Sequence, residues 1–289
     1  MIDIEVEEQA TGELSAGAGV GTNGGNIGLS VKENNWLGKG HRLSFNVDAS
    51  AESLAGSLNY TNPNYDFLGN ALNYSISSTK NDKPDQGYEN SIVSLGIGTT
   101  FEQYKDLFTT LGLNASYDDL QTDSSASSNL IKQSGTYEEL SANYGFTYDK
   151  RNRSFMPTSG SIVSFAQTLP IYADKAFIAN RFSASSYKEF SENIIGAGKI
   201  YIATIDALND EDVRLSKRKF LGSKRLRGFQ RGKVGPVDGT DHIGGNYAAA
   251  LNIEANLPKL LPESTRTDVG LFLDAGSVWG VDYDSTLGG

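Results

Sequence analysis

The 289-residue sequence has no cysteine, only two histidines and two tryptophans, and fewer basic than acidic residues. The missing cysteines exclude a disulfide framework and thiolate chemistry, and they suit a chain that crosses an oxidising periplasm unfolded. His41 and His242 lie far apart without metal-ligand spacing and read as surface or lumen residues. A net charge of -10 argues against nonspecific nucleic-acid binding through a globally basic face, and the acidic loops read as a solubility feature. No stretch approaches the ~18 consecutive apolar residues of a membrane helix. The hydrophobic fraction of 38% and mean hydropathy of -0.36 resemble a soluble protein. A barrel strand, however, hides its apolar residues by alternation and crosses a bilayer with modest average hydropathy. Catalytic signatures are also missing. There is no Gly-x-Ser-x-Gly elbow, and Gly17, Gly19 and Gly21 lie in an alternating stretch that no helix follows, so they suggest a strand that bends or pairs loosely rather than a phosphate loop. The expectation is a non-enzymatic chain without metal or cofactor.

What the sequence does contain is period-two alternation, broken by polar or Gly-rich turns. In 42–49, Leu43, Phe45, Val47 and Ala49 form one set and Arg42, Ser44, Asn46 and Asp48 the other. In 140–149, Leu140, Ala142, Tyr144, Phe146 and Tyr148 oppose Ser141, Asn143, Gly145, Thr147 and Asp149. In 247–257, Tyr247, Ala249, Leu251, Ile253, Ala255 and Leu257 oppose Ala248, Ala250, Asn252, Glu254 and Asn256. Runs of about 8–12 residues match tilted membrane strands better than the ~5–6-residue strands of a soluble sandwich. The polar set of Ser, Asn, Asp, Gly and Arg suits a wet lumen.

About thirteen strands are expected, at 12–21, 26–33, 41–50, 53–61, 70–79, 88–100, 107–118, 136–149, 159–169, 176–189, 194–204, 245–258 and 266–280, with mixed faces at 53–61, 176–189 and 194–204. Connections after odd strands include the long 119–135 and 205–244, and those after even strands include the compact 34–40, 102–106 and 191–193. A chain entering from the periplasm puts the first set outside and the second inside. Trp36, Tyr65, Phe67, Tyr104 and Phe155 lie in or beside the inner turns, where an aromatic girdle belongs. The fold class is thus all-β, a transmembrane antiparallel β-barrel. An odd strand count is unusual for a single-chain barrel. The acidic start Ile2–Glu8 carries no signal-peptide pattern. Both features suggest a barrel stretch (11–289) cut from a longer protein, with 1–10 the end of a preceding periplasmic domain.

The segment Phe220–Phe229 is the most informative. Arg227-Gly228-Phe229, with Gly222-Ser223 before it, resembles the loop signature of the BamA family of outer-membrane barrel-assembly factors, within the bacterial surface antigen or insertase superfamily. Further matches follow in order across the chain: Asn35–Gly40, Thr61-Asn62-Pro63, Pro157–Gly160, Gly244-Gly245-Asn246 and Asp274–Trp279. The resemblance implies a barrel of about sixteen strands, preceded by POTRA-type periplasmic domains. It also implies that the 205–244 loop folds back into the lumen, where Arg227 meets acidic residues on neighbouring strands. Glu254 and Asp274, both on inward sets, are the acids expected to hold it. Read as a catalytic acid pair, the same carboxylates would both stay ionised beside the arginine and leave no proton donor.

By this resemblance the function is assembly and insertion of client β-barrels into the outer membrane through an openable seam. Gly12, Leu14, Ala16, Gly17, Ala18, Gly19 and Gly21 of the first strand are expected to template the client strand. Unfolded barrel clients, outer-membrane lipids and accessory lipoproteins are the implied partners. The alternatives are a translocation-type relative (TamA-like or a two-partner secretion pore), a passive porin that would need none of the ordered motifs, and a soluble β enzyme.

Overall fold

Alternating sequence becomes one long antiparallel meander. The computed structural model describes residues 9–21, 24–258, 260–261 and 267–287. Its strands are β1 (Gly12–Gly21), β2 (Gly24–Trp36), β3 (His41–Ser50), β4 (Ser53–Asn62), β5 (Ala71–Lys83), β6 (Tyr88–Tyr104), β7 (Leu107–Thr122), β8 (Gly135–Asp149), β9 (Gly160–Ala173), β10 (Phe177–Ser191), β11 (Ile194–Ala207), β12 (Val237–Asp238), β13 (Asp241–His242), β14 (Tyr247–Leu257) and β15 (Val269–Trp279). Thirteen of them form a single sheet in chain order, with β14 beside β11. The two-residue β12 and β13 make a separate hairpin inside the long β11–β14 connection. Among the described residues no helix is long and apolar enough to cross a membrane. Most of the anticipated domain end at 1–10 falls outside the described residues.

Cross-strand register explains why the two sets separate. Phe45, Leu58, Ile76, Leu95, Ala115, Leu140 and Tyr172 are successive partners from β3 to β9 and form an apolar row on the outward face. One residue away, Ser44, Asn59, Ser75, Gly96, Asn114 and Ser141 form a small polar row on the inward face. Leu29, Phe45, Ile76, Leu95, Leu113, Ile202, Leu251, Leu271 and Leu273 are exposed. Exposed apolar side chains arrayed in this way are a lipid-facing band. Trp36, Leu37, Tyr65, Phe67, Tyr104, Phe155 and Phe190 stand exposed at the turns after even-numbered strands.

Expected and observed strands differ mainly at their ends. β5, β6, β7 and β9 continue to Lys83, Tyr104, Thr122 and Ala173, about four residues past where the alternation stops. Backbone pairing persists there although the side chains turn polar. Across the extended ends Asn81 donates to Asn90 at 3.0 Å and Asn90 donates to Asp118 at 2.8 Å. The mixed faces of β10 and β11 also have a cause. Tyr144 donates to Gln167 (2.7 Å), Gln167 to Asn180 (2.5 Å) and Asn180 to Thr204 (3.1 Å), a polar series on the outward face of β8 to β11. Polar atoms in lipid must be satisfied within the protein, and this ladder does so. Where β9 departs from regular pairing with β8, at Leu140/Ser141, it carries Pro170, which has no amide to offer a ladder.

Candidate functional site: a loop held in the lumen and a glycine-rich first strand

The connection from Leu208 to Asn246 folds back onto the inward, polar face of the sheet and docks there in two places. The chain enters it later than expected, because Ile205 is still paired in the ladder and its amide donates to Asn246 O at 2.8 Å.

The deeper contact is built on β14 and β15. Toward the outer end of β14 the inward residues are small, Ala248 and Ala250, and the facing inward positions of β15 are Val278 and Gly276. This shallow stretch lets Leu221 and Leu226 of the loop pack against the wall, and both are almost completely buried. Farther down, the inward positions turn polar as Asn252, Glu254 and Asp274, and there the loop is pinned. Arg227 Nε and Nη2 donate to Asp274 Oδ2 and Oδ1 at 2.7 and 2.6 Å, and its backbone amide adds a 3.0 Å bond to Oδ2. Its Nη2 also lies 2.9 Å from Glu254 Oε1. Lys199 of β11 holds the other Glu254 oxygen at 2.6 Å. Asn252 donates to both Asp274 Oδ1 (2.7 Å) and Arg225 O (2.8 Å). The guanidinium carbon lies 3.9 Å from the centroid of the Phe272 ring. Such a two-pronged contact has a defined orientation that a lysine cannot reproduce.

The structure therefore brings together Arg227, Glu254 and Asp274. Gly228 turns the chain directly after them at φ +85°. Phe229 is exposed and does not join the cluster.

The second docking point is absent from the sequence reading. Arg214, at 1% exposure, donates through Nη2 to Glu139 of β8 at 3.0 Å and lies 3.5 Å from Asp118 of β7. Lys217 reaches the same Glu139 oxygen at 2.8 Å, and Ser216 donates to Asp118 at 2.7 Å. Arg214 sits over the rings of Tyr137 and Phe177 at 4.9 and 6.0 Å. Around this charge cluster Leu215 and Ile243 pack with Tyr88, Leu120, Leu130 and Val281, while Val213 packs with Phe177 and Ile205. Burial, opposed by Glu139, lowers the pKa of Lys217 below its ordinary value. Asp118 and Glu139, both within expected strands, are thus buried anchors for the loop.

The return of the loop into β14 explains the paired glycines before Asn246. A Cβ on Gly245 would lie 2.3 Å from Trp279 O, and one on Gly244, at φ +65°, 2.6 Å from Lys219 O. Lys219 and Gly245 exchange backbone hydrogen bonds at 2.7 and 3.1 Å across this crossing. Gly245→Ala is expected to cost about 1–3 kcal/mol through overpacking. Gly222→Ala, with nothing within 4 Å of the added carbon, is expected to be near neutral. Thermal unfolding of the two variants side by side checks this.

The expected template residues also fall together. Gly12, Leu14, Ala16, Gly17, Ala18, Gly19 and Gly21 lie on β1, which pairs with β2 from Gly12↔Glu33 to Gly21↔Gly24. In the described sheet β1 and β15 are the terminal strands, each paired on one side only. Leu14 and Val20 are 79% and 93% exposed. A Cβ at Gly17 would meet nothing within 4 Å, so this edge offers backbone with little side-chain obstruction.

Comparison with known proteins agrees with this architecture. The chain is 26% identical to the outer membrane protein assembly factor BamA of Neorickettsia risticii over 99% of its own length and 40% of that protein's. It is also 26% identical to a SAM50-like protein of Schizosaccharomyces pombe, over 96% of this chain and 61% of that one. The chain therefore spans between two and three fifths of the length of these relatives. The crystal structure of BamA from Haemophilus ducreyi lacking POTRA domains 1-3 superposes with a TM-score of 0.87 at 21% identity, covering 95% of this chain and 59% of that one. The Omp85 superfamily domain matches residues 35–288. This chain is an outer-membrane β-barrel and belongs to the Omp85 superfamily.

Proposed function

We propose that this barrel serves the assembly of other outer-membrane β-barrel proteins, offering the outer edge of the glycine-rich strand β1 as a template for a client strand. The observation that carries the reading is the make-up of β1 within an Omp85 barrel. The strand is glycine-rich, a side chain at Gly17 would meet nothing, and it belongs to a sheet whose outward face is apolar. An unpaired backbone group in lipid costs several kcal/mol, so a client strand arriving at the membrane is driven to pair, and β-augmentation onto an existing edge is the direct route. Nothing in this step makes or breaks a covalent bond, and the reading is of a non-enzymatic scaffold. The clients are unfolded barrel proteins in contact with outer-membrane lipid, and accessory lipoproteins complete the machinery. A passive porin fits less well, because the loop from Leu208 to Asn246 occupies the lumen with two dedicated sets of ion pairs.

Antiparallel pairing makes the proposal testable residue by residue. Alternate β1 residues direct their N–H and C=O groups toward β2, and the others toward the open edge. A proline scan across 13–19 in the full-length protein should therefore alternate. Proline at one parity removes a donor from the template and blocks client assembly while the barrel stays folded. Proline at the other parity weakens β1–β2 pairing and lowers barrel stability. Assembly that is indifferent to proline at every position would remove the edge from the mechanism.

A further inference from the structure

Between the loop and the inward faces of β8 to β11 lies a chamber of about 580 Å³, within the range of small-molecule sites. Three cations line it, Arg181 from β10 and Lys219 and Arg225 from the loop, and no aspartate or glutamate does. In a chain of net charge -10 this is a local reversal of sign. The nearby carboxylates are already engaged: Asp274 and Glu254 by Arg227 and Lys199, Glu139 by Arg214 and Lys217. Arg225 stacks on the Tyr201 ring, 3.3 Å from its centroid, and so fixes one side of the chamber. The backbone exchange with Gly245 fixes the position of Lys219. Arg181 projects from the wall, is exposed to the lumen, and has no ion pair or side-chain hydrogen bond among the described residues. Ser183, two residues along the same inward face, brings a hydroxyl to the same space.

Holding three like charges around one cavity is unfavourable unless something offsets them. Burial, together with the Arg181 and Lys217 charges, pushes Lys219 down to about 8, and burial and the nearby Arg181 lower Arg225. A guanidinium facing a hydroxyl and a second cation is the donor set that recognises a carboxylate or phosphate group. We propose that this chamber is a binding site for an oxyanion, the carboxylate or phosphate group of a molecule that enters the lumen. The inference stands apart from the assembly reading, since it concerns the wall of β8 to β11 and not the β1 edge.

The test is calorimetric titration of the intact protein in nanodiscs of uncharged lipid with inorganic phosphate and, separately, with glutarate, at constant ionic strength. Saturable binding of at least one is expected, and which one binds identifies the source of the anion. Arg181→Gln, at a side chain with no ion pair or hydrogen bond to lose, should leave heat-modifiable mobility on gels intact and weaken binding about ten- to hundredfold. Lys219→Met should weaken it similarly. No saturable binding of either anion, or equal binding by wild type and both variants, would overturn the proposal.

Discussion

Replacing Arg227 with alanine frees the tip of the lumenal loop, raising cleavage by trypsin at Lys224 and Arg225 by about thirtyfold or more. The substitution leaves Asp274, whose side chain is 3% exposed, and Glu254, at 13%, facing each other with Lys199, Asn252 and the backbone amide of residue 227 for support. Removing one partner of a fully buried pair costs ~3–5 kcal/mol. Arg227 itself is 31% exposed, so about 2–3 kcal/mol is the appropriate expectation. Each 1.4 kcal/mol is about tenfold in the population of the released loop. Arg227→Lys should fall between wild type and alanine, because it keeps a charge but loses the two-pronged contact with Asp274 and the face-on contact with Phe272. Adding Asp274→Asn to Arg227→Ala should recover part of the loss by removing the stranded charge. Cleavage unchanged in Arg227→Ala would mean that Leu221 and Leu226 hold the loop without help.

Arg214→Ala is expected to be at least as damaging at the outer end of the barrel. Here all three charged groups are buried, and the alanine variant strands Asp118 and Glu139 together with only Lys217, Ser216 and Asn90 as partners. The expected cost is ~3–5 kcal/mol in loop docking, read as faster hydrogen exchange at the amides of Val213 and Leu215, which now donate to Asp282 and Gln133. The pair is not optimal even in the native chain, since Arg214 Nε and Nη1 are buried without hydrogen-bond partners. Replacing all four charged groups by neutral ones of similar shape (Arg214→Met, Lys217→Met, Asp118→Asn, Glu139→Gln) should therefore restore protection close to wild type. A quadruple variant as exposed as the single alanine would assign these charges a role beyond paying for each other's burial.

The difference between these two clusters shows what a sequence can reveal. Glu254 is readable because its run's apolar and polar sets separate cleanly, and Asp274 because the less regular alternation over 267–275 still fixes its parity, so their inward direction follows. Arg227 is readable only through its resemblance to a family signature; on its own it looks like a solvated loop cation. Arg214 has neither aid. Its partners Asp118 and Glu139 lie 75 or more positions away in sequence. Asp118 also sits where the alternation has already given way to polar residues although the strand runs on to Thr122. The same effect shortened the expected ends of β5, β6 and β9: side-chain periodicity reports the faces of a sheet, whereas the backbone ladder continues wherever a neighbour is present. The outward ladder of Tyr144, Gln167, Asn180 and Thr204 blurred the pattern for a related reason, because polar residues that satisfy one another can occupy positions otherwise reserved for apolar ones.

The central claim is that a client strand pairs with β1. Because residues 1–289 hold no cysteine, a single cysteine placed at Ala16, in the full-length protein with any cysteine outside this stretch replaced by serine, has no competing thiol. Paired with single cysteines stepped along the terminal strand of a client barrel, it should form a disulfide during assembly at one register, with cross-linking falling off at neighbouring positions. A matched cysteine at Leu251, on the outward face of β14 and remote from the edge, should give none. Cross-linking at Ala16 no greater than at Leu251, in cells where the client still assembles, would contradict the account.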